Sequence, residues 1–167
     1  QLGGRLAGVV SGAAALRTDL CRLFSAAGIE VREGYGLTEA SPVVSCNRFE
    51  PGGYRFGTAG MPIPGVQVRI AKQNENGSGQ IEVKGPNVML GYLDEETTKA
   101  AMTEDGWLRT GDMGIMEDKR FLRVFGRASN VFKTASGRFV AVNAIEQQLE
   151  RSRYIRQVMV FGRNKPW

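Results

Sequence analysis

Apolar residues follow two different periods in the first 32 positions of the chain. A short apolar run at residues 6–10 precedes a stretch with helical spacing, and residues 29–32 then alternate. The helical positions are Leu16, Leu20, Leu23, Phe24 and Ala27, with Gly28 following as a stop signal. A strand, a helix and a strand in this order favour a parallel β-α-β pair.

Glycine and proline then interrupt the chain repeatedly between residues 52 and 65. Beyond them, Val66, Val68 and Ile70 alternate with polar residues, as do Ile81 and Val83. The intervening residues 74–79 read Asn-Glu-Asn-Gly-Ser-Gly, which is a strong turn sequence. This segment therefore predicts a β-hairpin.

Local patterns predict four further elements in the second half of the chain. They are a helix over residues 95–102 capped by Asp94, a hairpin of residues 114–116 and 121–125, a helix from Asn143 to about Arg151, and a strand over residues 155–161.

Composition removes several classes of function. The 167 residues are 42% hydrophobic and 23% charged, as in ordinary globular domains. Histidine is absent, which excludes a serine–histidine triad and histidine metal ligands from the residues present. Two cysteines 25 positions apart make neither a zinc set nor a disulfide framework, so we expect a reducing, cytoplasmic setting.

No apolar run approaches the roughly 18 residues of a membrane span. The chain lacks an initiator Met, and we expect it to be part of a longer protein.

Charge is unevenly distributed. Residues 1–117 carry 11 basic and 14 acidic side chains, a net charge of −3, whereas residues 118–167 carry 11 basic and 3 acidic side chains, a net charge of +8. This asymmetry predicts a boundary near Gly126 and a basic face beyond it. Such a face attracts nucleotides, coenzyme phosphates or nucleic acid, or it is simply a solvated surface.

The glycine-rich segment 34–39 follows a predicted strand and carries candidate chemistry. Gly34 and Gly36 allow backbone N–H groups to approach an anion closely, and Thr38 offers a hydroxyl donor to a phosphate oxygen. Glu39 is a hard oxygen ligand suited to Mg²⁺, and Tyr35 offers a flat face for stacking a base. An ordinary turn with a surface glutamate explains the same residues taken alone.

The roles of several other residues are equally ambiguous when each is taken alone. Asp112 follows a glycine at the start of a strand, where a carboxylate accepts hydrogen bonds from a ribose diol or caps its own turn. Arg127 and Arg138 fork onto phosphate or ribose oxygens, or are ordinary surface cations. Asn87 and Tyr92 indicate loop structure.

The order of these segments is more specific than any one of them. The series comprises residues 34–39 (GYGLTE), 57–62 (GTAGMP), 79–92 (GQIEVKGPNVMLGY), 106–112 (GWLRTGD), Gly126-Arg127, Lys133 and 136–138 (SGR). It resembles the adenylate-forming (AMP-binding) enzymes over essentially the whole chain. Within them it is most similar to the long-chain fatty-acid–CoA ligases, through residues 3–14 (GGRLAGVVSGAA) and 130–134 (NVFKT).

The resemblance implies a role for each matching residue. Tyr35 stacks on adenine, between Gly34 and Gly36 of the nucleotide-binding segment. Thr38 contacts the α-phosphate and Glu39 binds Mg²⁺, as the catalytic pair. Asp112 and Arg127 hold the ribose hydroxyls. Ser129 occupies the hinge position, where Asp or Lys is common in the family, and Arg138 matches a contact to phosphate or coenzyme A.

The resemblance also implies an α+β fold and a two-step ligase reaction. We expect a β-α-β edge, a Gly-rich antiparallel barrel-like subdomain and an incomplete small α/β lobe. Residues 1–126 then end the large AMP-binding domain, and residues 127–167 begin the small C-terminal domain. In the reaction, a fatty acid is activated with ATP as acyl-AMP, in the presence of Mg²⁺, and transferred to coenzyme A. The phosphate loop and the C-terminal lysine of the family are absent, so we expect no ligase activity from this chain alone.

Two rival functions stay open. An adenylation domain that loads a carrier protein shares these motifs, and a basic nucleic-acid-binding module fits the positive end of the chain. No stacking series is interleaved with the basic residues, which argues against nucleic acid. Peripheral membrane association and self-association are compatible with the sequence, the latter because neighbouring elements are missing.

Overall fold

A computed structural model describes residues 3–14, 16–133 and 139–160. The first part of the chain forms β1 (Val9–Ser11), α1 (Thr18–Ala26), β2 (Val31–Gly36), a one-turn 3₁₀ helix (Thr38–Ala40), β3 (Val43–Cys46) and β4 (Met61–Pro62). The second part forms β5 (Gln67–Ala71), β6 (Gly79–Lys84), α2 (Glu95–Ala101), β7 (Leu108–Glu117) and β8 (Phe121–Arg127). A 3₁₀ turn (Ala128–Asn130), β9 (Val131–Lys133), β10 (Phe139–Ala141) and α3 (Val142–Leu149) follow.

The strands build two four-stranded sheets and a separate two-stranded pair. The first sheet has the order β1-β2-β3-β4, and the expected parallel pairing of β1 with β2 is confirmed. The second sheet has the order β5-β6-β7-β8 with antiparallel neighbours, which confirms both predicted hairpins. Over the described residues the second sheet is open, so the expected barrel-like subdomain is an unclosed antiparallel sheet within the expected α+β fold.

The core lies between the two sheets. Val44 comes from β3 of the first sheet and Ala40 from the 3₁₀ helix that precedes it, whereas Ile81, Val83 and Leu122 come from the second sheet, and all five are fully buried. Backbone hydrogen bonds join the same two layers, because Ala59 N–H donates to the Leu122 carbonyl at 2.7 Å and Leu122 N–H donates to the Gly60 carbonyl at 2.7 Å. Burial and pairing together fix one sheet against the other, and this sets the geometry of the site described below.

The helix predicted after Asp94 is confirmed, and its cap explains where it starts. The Asp94 carboxylate accepts a hydrogen bond from the Thr97 N–H at 2.6 Å, which is the arrangement of a helix N-cap. The helix predicted from Asn143 is present as α3.

The predicted final strand is wrong over the described residues 155–160, which form no strand. An alternating pattern needs a neighbouring strand to accept its backbone hydrogen bonds, and the described residues provide none there. The Val160 N–H instead donates to the Glu146 side chain at 2.8 Å. Phe161, the last residue of the predicted strand, lies outside the described residues.

Each helix that the structure describes is too short or too polar to span a bilayer.

Cys21 and Cys46 are both free thiols in different environments. The Cys21 side chain is 1% exposed and its Sγ lies 3.8 Å from Glu33 Oε2, whereas Cys46 is half-buried. Burial, reinforced by the neighbouring Glu33 carboxylate, raises the pKa of the Cys21 thiol to about 11. Cys21 is therefore a packing residue rather than a reactive one.

We expect a thiol reagent such as Ellman's reagent to label Cys46 in the native chain at pH 8 and to spare Cys21. At that pH only about one Cys21 side chain in a thousand is a thiolate, and access to its sulfur is blocked. Counting the thiols that react before and after urea unfolding checks this. A Cys46→Ser variant serves as the control and should show no rapidly reacting thiol. Equal labelling rates at both positions would contradict the assignment.

Candidate nucleotide site

The glycine-rich segment turns sharply at the end of β2. Gly34 pairs with Cys46, Tyr35 with Ser45 and Gly36 with Val43, with a bulge between Tyr35 and Gly36. A Cβ at Gly36 would lie 2.0 Å from the Pro42 carbonyl oxygen, so only glycine allows the two backbones to approach this closely. The Leu37 N–H donates to that same oxygen at 2.8 Å and closes the turn.

The turn places Tyr35 opposite Asp112, which lies 77 residues later on β7. The Tyr35 hydroxyl donates to Asp112 Oδ2 at 2.6 Å. Burial is the main cause of a raised pKa for Tyr35, and the hydrogen bond to the carboxylate raises it further. The phenol therefore stays protonated and donates throughout the physiological pH range.

A ladder of hydrogen bonds holds Asp112 in place. Its N–H donates to Thr110 Oγ1 at 3.1 Å, and the Thr110 hydroxyl donates to the Ile81 carbonyl on β6 at 2.9 Å. Thr110 and Asp112 are both buried. Since β6 carries the core residue Ile81, the Asp112 carboxylate is positioned directly by the second sheet.

Arg127 meets Asp112 from the neighbouring strand. The two residues are register partners on β7 and β8, and Arg127 Nε lies 3.3 Å from Asp112 Oδ1. Arg127 Nη1 also donates to the Thr110 carbonyl at 3.0 Å. Asp112 Oδ2 thus accepts one hydrogen bond, from Tyr35, and Oδ1 forms an ion pair with Arg127, whereas a carboxylate accepts about four hydrogen bonds in all. Capacity remains for the two hydroxyls of a diol.

Glu39 has a partner that the local sequence does not indicate. The Tyr92 hydroxyl donates to Glu39 Oε1 at 2.8 Å. This hydrogen bond is the main cause of a lowered pKa for Glu39, and the carboxylate in turn raises the pKa of Tyr92. The positive charge of Arg127 also lowers the pKa of both groups.

The carboxylates present suit a magnesium ion shared with a substrate. Among the side chains that the structure describes, no group of three His, Cys, Asp or Glu converges as in an all-protein metal cage. Glu39 supplies one carboxylate that is partly exposed. Magnesium is commonly held by one or two carboxylates together with substrate phosphates and water, and Glu39 fits that pattern.

The structure describes two of the three remaining predicted residues, and both are exposed. Thr38 is exposed at the start of the 3₁₀ helix, next to Glu39. Ser129 is exposed in the 3₁₀ turn after β8, and its hydroxyl donates to Asn130 Oδ1 at 3.1 Å. Arg138 lies outside the described residues.

The sequence does not indicate two residues of the candidate site, Tyr92 and Thr110. Tyr92 follows a glycine in a loop and its partner is 53 residues away, so its neighbours in sequence give no signal. Thr110 lies two residues before Asp112 on β7, where an inward-facing threonine beside a candidate carboxylate is a signal that could have been used.

Known proteins share both the sequence and the fold of this chain. The family model described as AMP-binding enzyme matches residues 1–93. Long-chain-fatty-acid--CoA ligase 6 of Rattus norvegicus is 40% identical over 170 residues, covering 97% of this chain and 24% of the rat protein. Long-chain-fatty-acid--CoA ligase FadD15 of Mycobacterium tuberculosis is 38% identical over 167 residues, covering 99% of this chain and 26% of that protein. The chain therefore spans about a quarter of the length of these relatives.

Two solved structures show the same arrangement of elements. The ATP-bound MatB of Rhodopseudomonas palustris superposes with a TM-score of 0.75 at 32% identity, covering 86% of this chain and 29% of MatB. The o-succinylbenzoate CoA synthetase MenE of Bacillus subtilis, in complex with its acyl-adenylate intermediate, superposes with a TM-score of 0.83 at 26% identity. That match covers 95% of this chain and 34% of MenE.

Proposed function

This chain belongs to the AMP-binding enzyme family, and we propose on that premise that it forms the nucleotide-holding part of an ATP-dependent long-chain fatty-acid–CoA ligase. The observation that carries the proposal is the 2.6 Å hydrogen bond from Tyr35 to Asp112. It brings an aromatic ring and a ribose-type carboxylate to one place from two different sheets. The similarity to fatty-acid–CoA ligases over nearly the whole chain supports the choice of substrate.

In the proposed complex, four side chains bind AMP. The Tyr35 ring stacks on adenine, while its hydroxyl keeps the Asp112 carboxylate oriented. Asp112 accepts hydrogen bonds from the ribose diol with the lone pairs that the hydrogen bond from Tyr35 leaves available. Arg127 donates to the same sugar, and Thr38 donates its hydroxyl to an α-phosphate oxygen.

The chemistry has two displacement steps. A fatty-acid carboxylate attacks the α-phosphorus of ATP, forming a new P–O bond as the bond to pyrophosphate breaks, which gives acyl-AMP. The thiol sulfur of coenzyme A then attacks the acyl carbon and forms the thioester C–S bond, the thiol proton goes to solvent, and AMP leaves with the electrons of the cleaved C–O bond. Glu39 would hold Mg²⁺, which neutralises phosphate charge when bound. The cationic Arg127 and the hydroxyl of Thr38 act in the same electrostatic sense on the negatively charged nucleotide.

We also propose a domain boundary at residues 126–127, with Ser129 in the hinge. The 3₁₀ turn that contains Ser129 connects β8, which carries Arg127, to β9. The change of net charge between residues 1–117 and 118–167 supports a boundary in this region. Rotation about the turn would carry the following residues, including Arg138, toward phosphate or coenzyme A.

We expect the full-length protein that contains this chain to form palmitoyl-CoA from palmitate, ATP, Mg²⁺ and coenzyme A. The 167 residues alone should form none, because the phosphate loop and the family's C-terminal lysine lie outside them. Thioester formation followed by chromatography tests both statements. Replacing coenzyme A with a phosphopantetheinylated carrier protein separates a CoA ligase from a carrier-loading enzyme. Thioester formation by the isolated chain, or no adenylate formation with any fatty acid, would contradict the proposal.

A further inference from the structure

The loop before α2 approaches the Glu39 turn through several directed contacts. Met89 N–H donates to the Glu39 carbonyl at 2.8 Å. Asn87 Nδ2 donates to the carbonyls of Ala40 at 2.9 Å and Val43 at 2.8 Å. Tyr92 completes the set and is the member that reaches the Glu39 carboxylate. The backbone around Glu39 is therefore fixed independently of its side chain.

Tyr92 is itself held from α2. Its N–H donates to Thr98 Oγ1 at 2.8 Å, and the Thr98 hydroxyl lies 3.3 Å from the Tyr92 carbonyl and 3.0 Å from the Asp94 carbonyl. A Cβ at Gly91 would lie 2.8 Å from Thr98 Cγ2, so glycine is required for this approach. Asp94 caps the same helix. The Tyr92 backbone is thus attached to a defined helix start.

Apolar packing does not account for the position of Tyr92. Its side chain is 41% exposed, and Leu90 and Leu93 on either side are fully exposed. The directed contact of the side chain is the hydrogen bond from its hydroxyl to Glu39 Oε1. The side chain is oriented by a polar contact to a residue that would ligate a metal.

We propose that Tyr92 is a positioning residue that orients the Glu39 carboxylate toward the magnesium ion of the bound nucleotide. This inference rests on the proposed function. The hydroxyl donates to one carboxylate oxygen, which restricts rotation of the side chain and leaves the other oxygen for the ion. Groups that hydrogen-bond a metal ligand in this way commonly change metal affinity by about 10-fold to 100-fold when removed.

The test uses the full-length protein with Mn²⁺ as the probe ion and saturating α,β-methylene ATP, which is not converted to an adenylate. Water-proton relaxation gives the Mn²⁺ concentration for half-saturation. We expect Tyr92→Phe to raise this concentration by about 10-fold, the lower end of the range because the pair is partly exposed. The variant should bind AMP normally in EDTA and unfold at an unchanged temperature, which a purely structural role would not allow.

Tyr154→Phe is the matched control, since it removes the same hydroxyl from a tyrosine that is 82% exposed and packs beside Arg153. It should leave the Mn²⁺ concentration unchanged. Glu39→Gln should weaken Mn²⁺ binding, and adding Tyr92→Phe to it should have no further effect.

The outcomes separate the two proposals. If Glu39→Gln weakens Mn²⁺ binding and Tyr92→Phe does not, the positioning role is overturned and the proposed function stands. If Glu39→Gln has no effect, the metal assignment within the proposed function fails, and the role of Tyr92 fails with it. If Tyr92→Phe weakens AMP binding in EDTA as much as Mn²⁺ binding, Tyr92 is structural and the inference is overturned.

Discussion

Replacing Asp112 with asparagine is expected to weaken ATP binding to the full-length protein by about 30-fold, or about 2 kcal/mol, the usual range for hydrogen bonds to a charged group. The buried carboxylate accepts a hydrogen bond from Tyr35, forms an ion pair with Arg127, and is proposed to accept hydrogen bonds from the ribose diol. An amide of nearly the same shape lacks the negative charge and presents an N–H₂ donor to one of these donors. Isothermal titration calorimetry measures the change.

The sugar hydroxyls provide a sharper form of the same experiment. The native protein should bind 2′-deoxy-ATP more weakly than ATP, and Asp112→Asn should reduce that preference because the charged acceptor of the diol becomes a neutral amide. Asp105→Asn is the matched control, since Asp105 is an exposed carboxylate paired with Arg69 on another part of the sheet. A variant at Asp112 that distinguishes ATP from 2′-deoxy-ATP as strongly as the native protein would refute the assignment of Asp112 to the ribose.

Replacing Gly36 with alanine is expected to lower the free energy of unfolding of the chain by about 3 kcal/mol, a large cost for a single methyl group. The new Cβ would lie 2.0 Å from the Pro42 carbonyl oxygen and 3.1 Å from Val43 Cα, and neither backbone atom has a rotamer with which to move away. Relief requires opening the turn and losing the Leu37-to-Pro42 hydrogen bond. Urea unfolding followed by circular dichroism measures the loss.

Gly12→Ala is the matched control for that measurement. The nearest atom to a Cβ at Gly12 is the Gly34 carbonyl oxygen at 3.6 Å, an ordinary contact distance. We expect this variant to unfold at the same urea concentration as the native chain. If Gly36→Ala were equally stable, the close approach of the two backbones at the end of β2 would be wrong.

The turn residues and the periodic spacing of apolar residues made much of the fold predictable from sequence. The turn at residues 74–79 contains Asn74, whose side chain accepts hydrogen bonds from Asn76 N–H at 3.0 Å and Ser78 N–H at 2.9 Å, so the hairpin is specified locally. The Asp94 cap is specified within four residues. Such elements depend on neighbours in sequence, and those neighbours are visible in the sequence itself.

Long-range pairing could not be inferred from the same patterns. The short strand β4 contains Pro62 and pairs only at Ser45 and Cys46, so no local period indicates it. Residues 155–160 have the right alternation and no partner strand among the described residues. The contact between Tyr92 and Glu39 depends on how a loop folds back over 53 positions, which propensity does not report. Resemblance to a family indicated the candidate site. The hydrogen bonds show that Tyr35 contacts Asp112 and that Tyr92 contacts Glu39.

Tyr35 lies in the first sheet and Asp112 in the second, and this separation affects the order in which the chain assembles. Closing a contact across 77 positions costs loop entropy, which local hairpins largely avoid. The hairpins of the second sheet can therefore form early, whereas the proposed nucleotide site forms only when the two sheets pack together. If the proposed function is right, a nascent or partly unfolded molecule would have native-like strands and would not bind ATP.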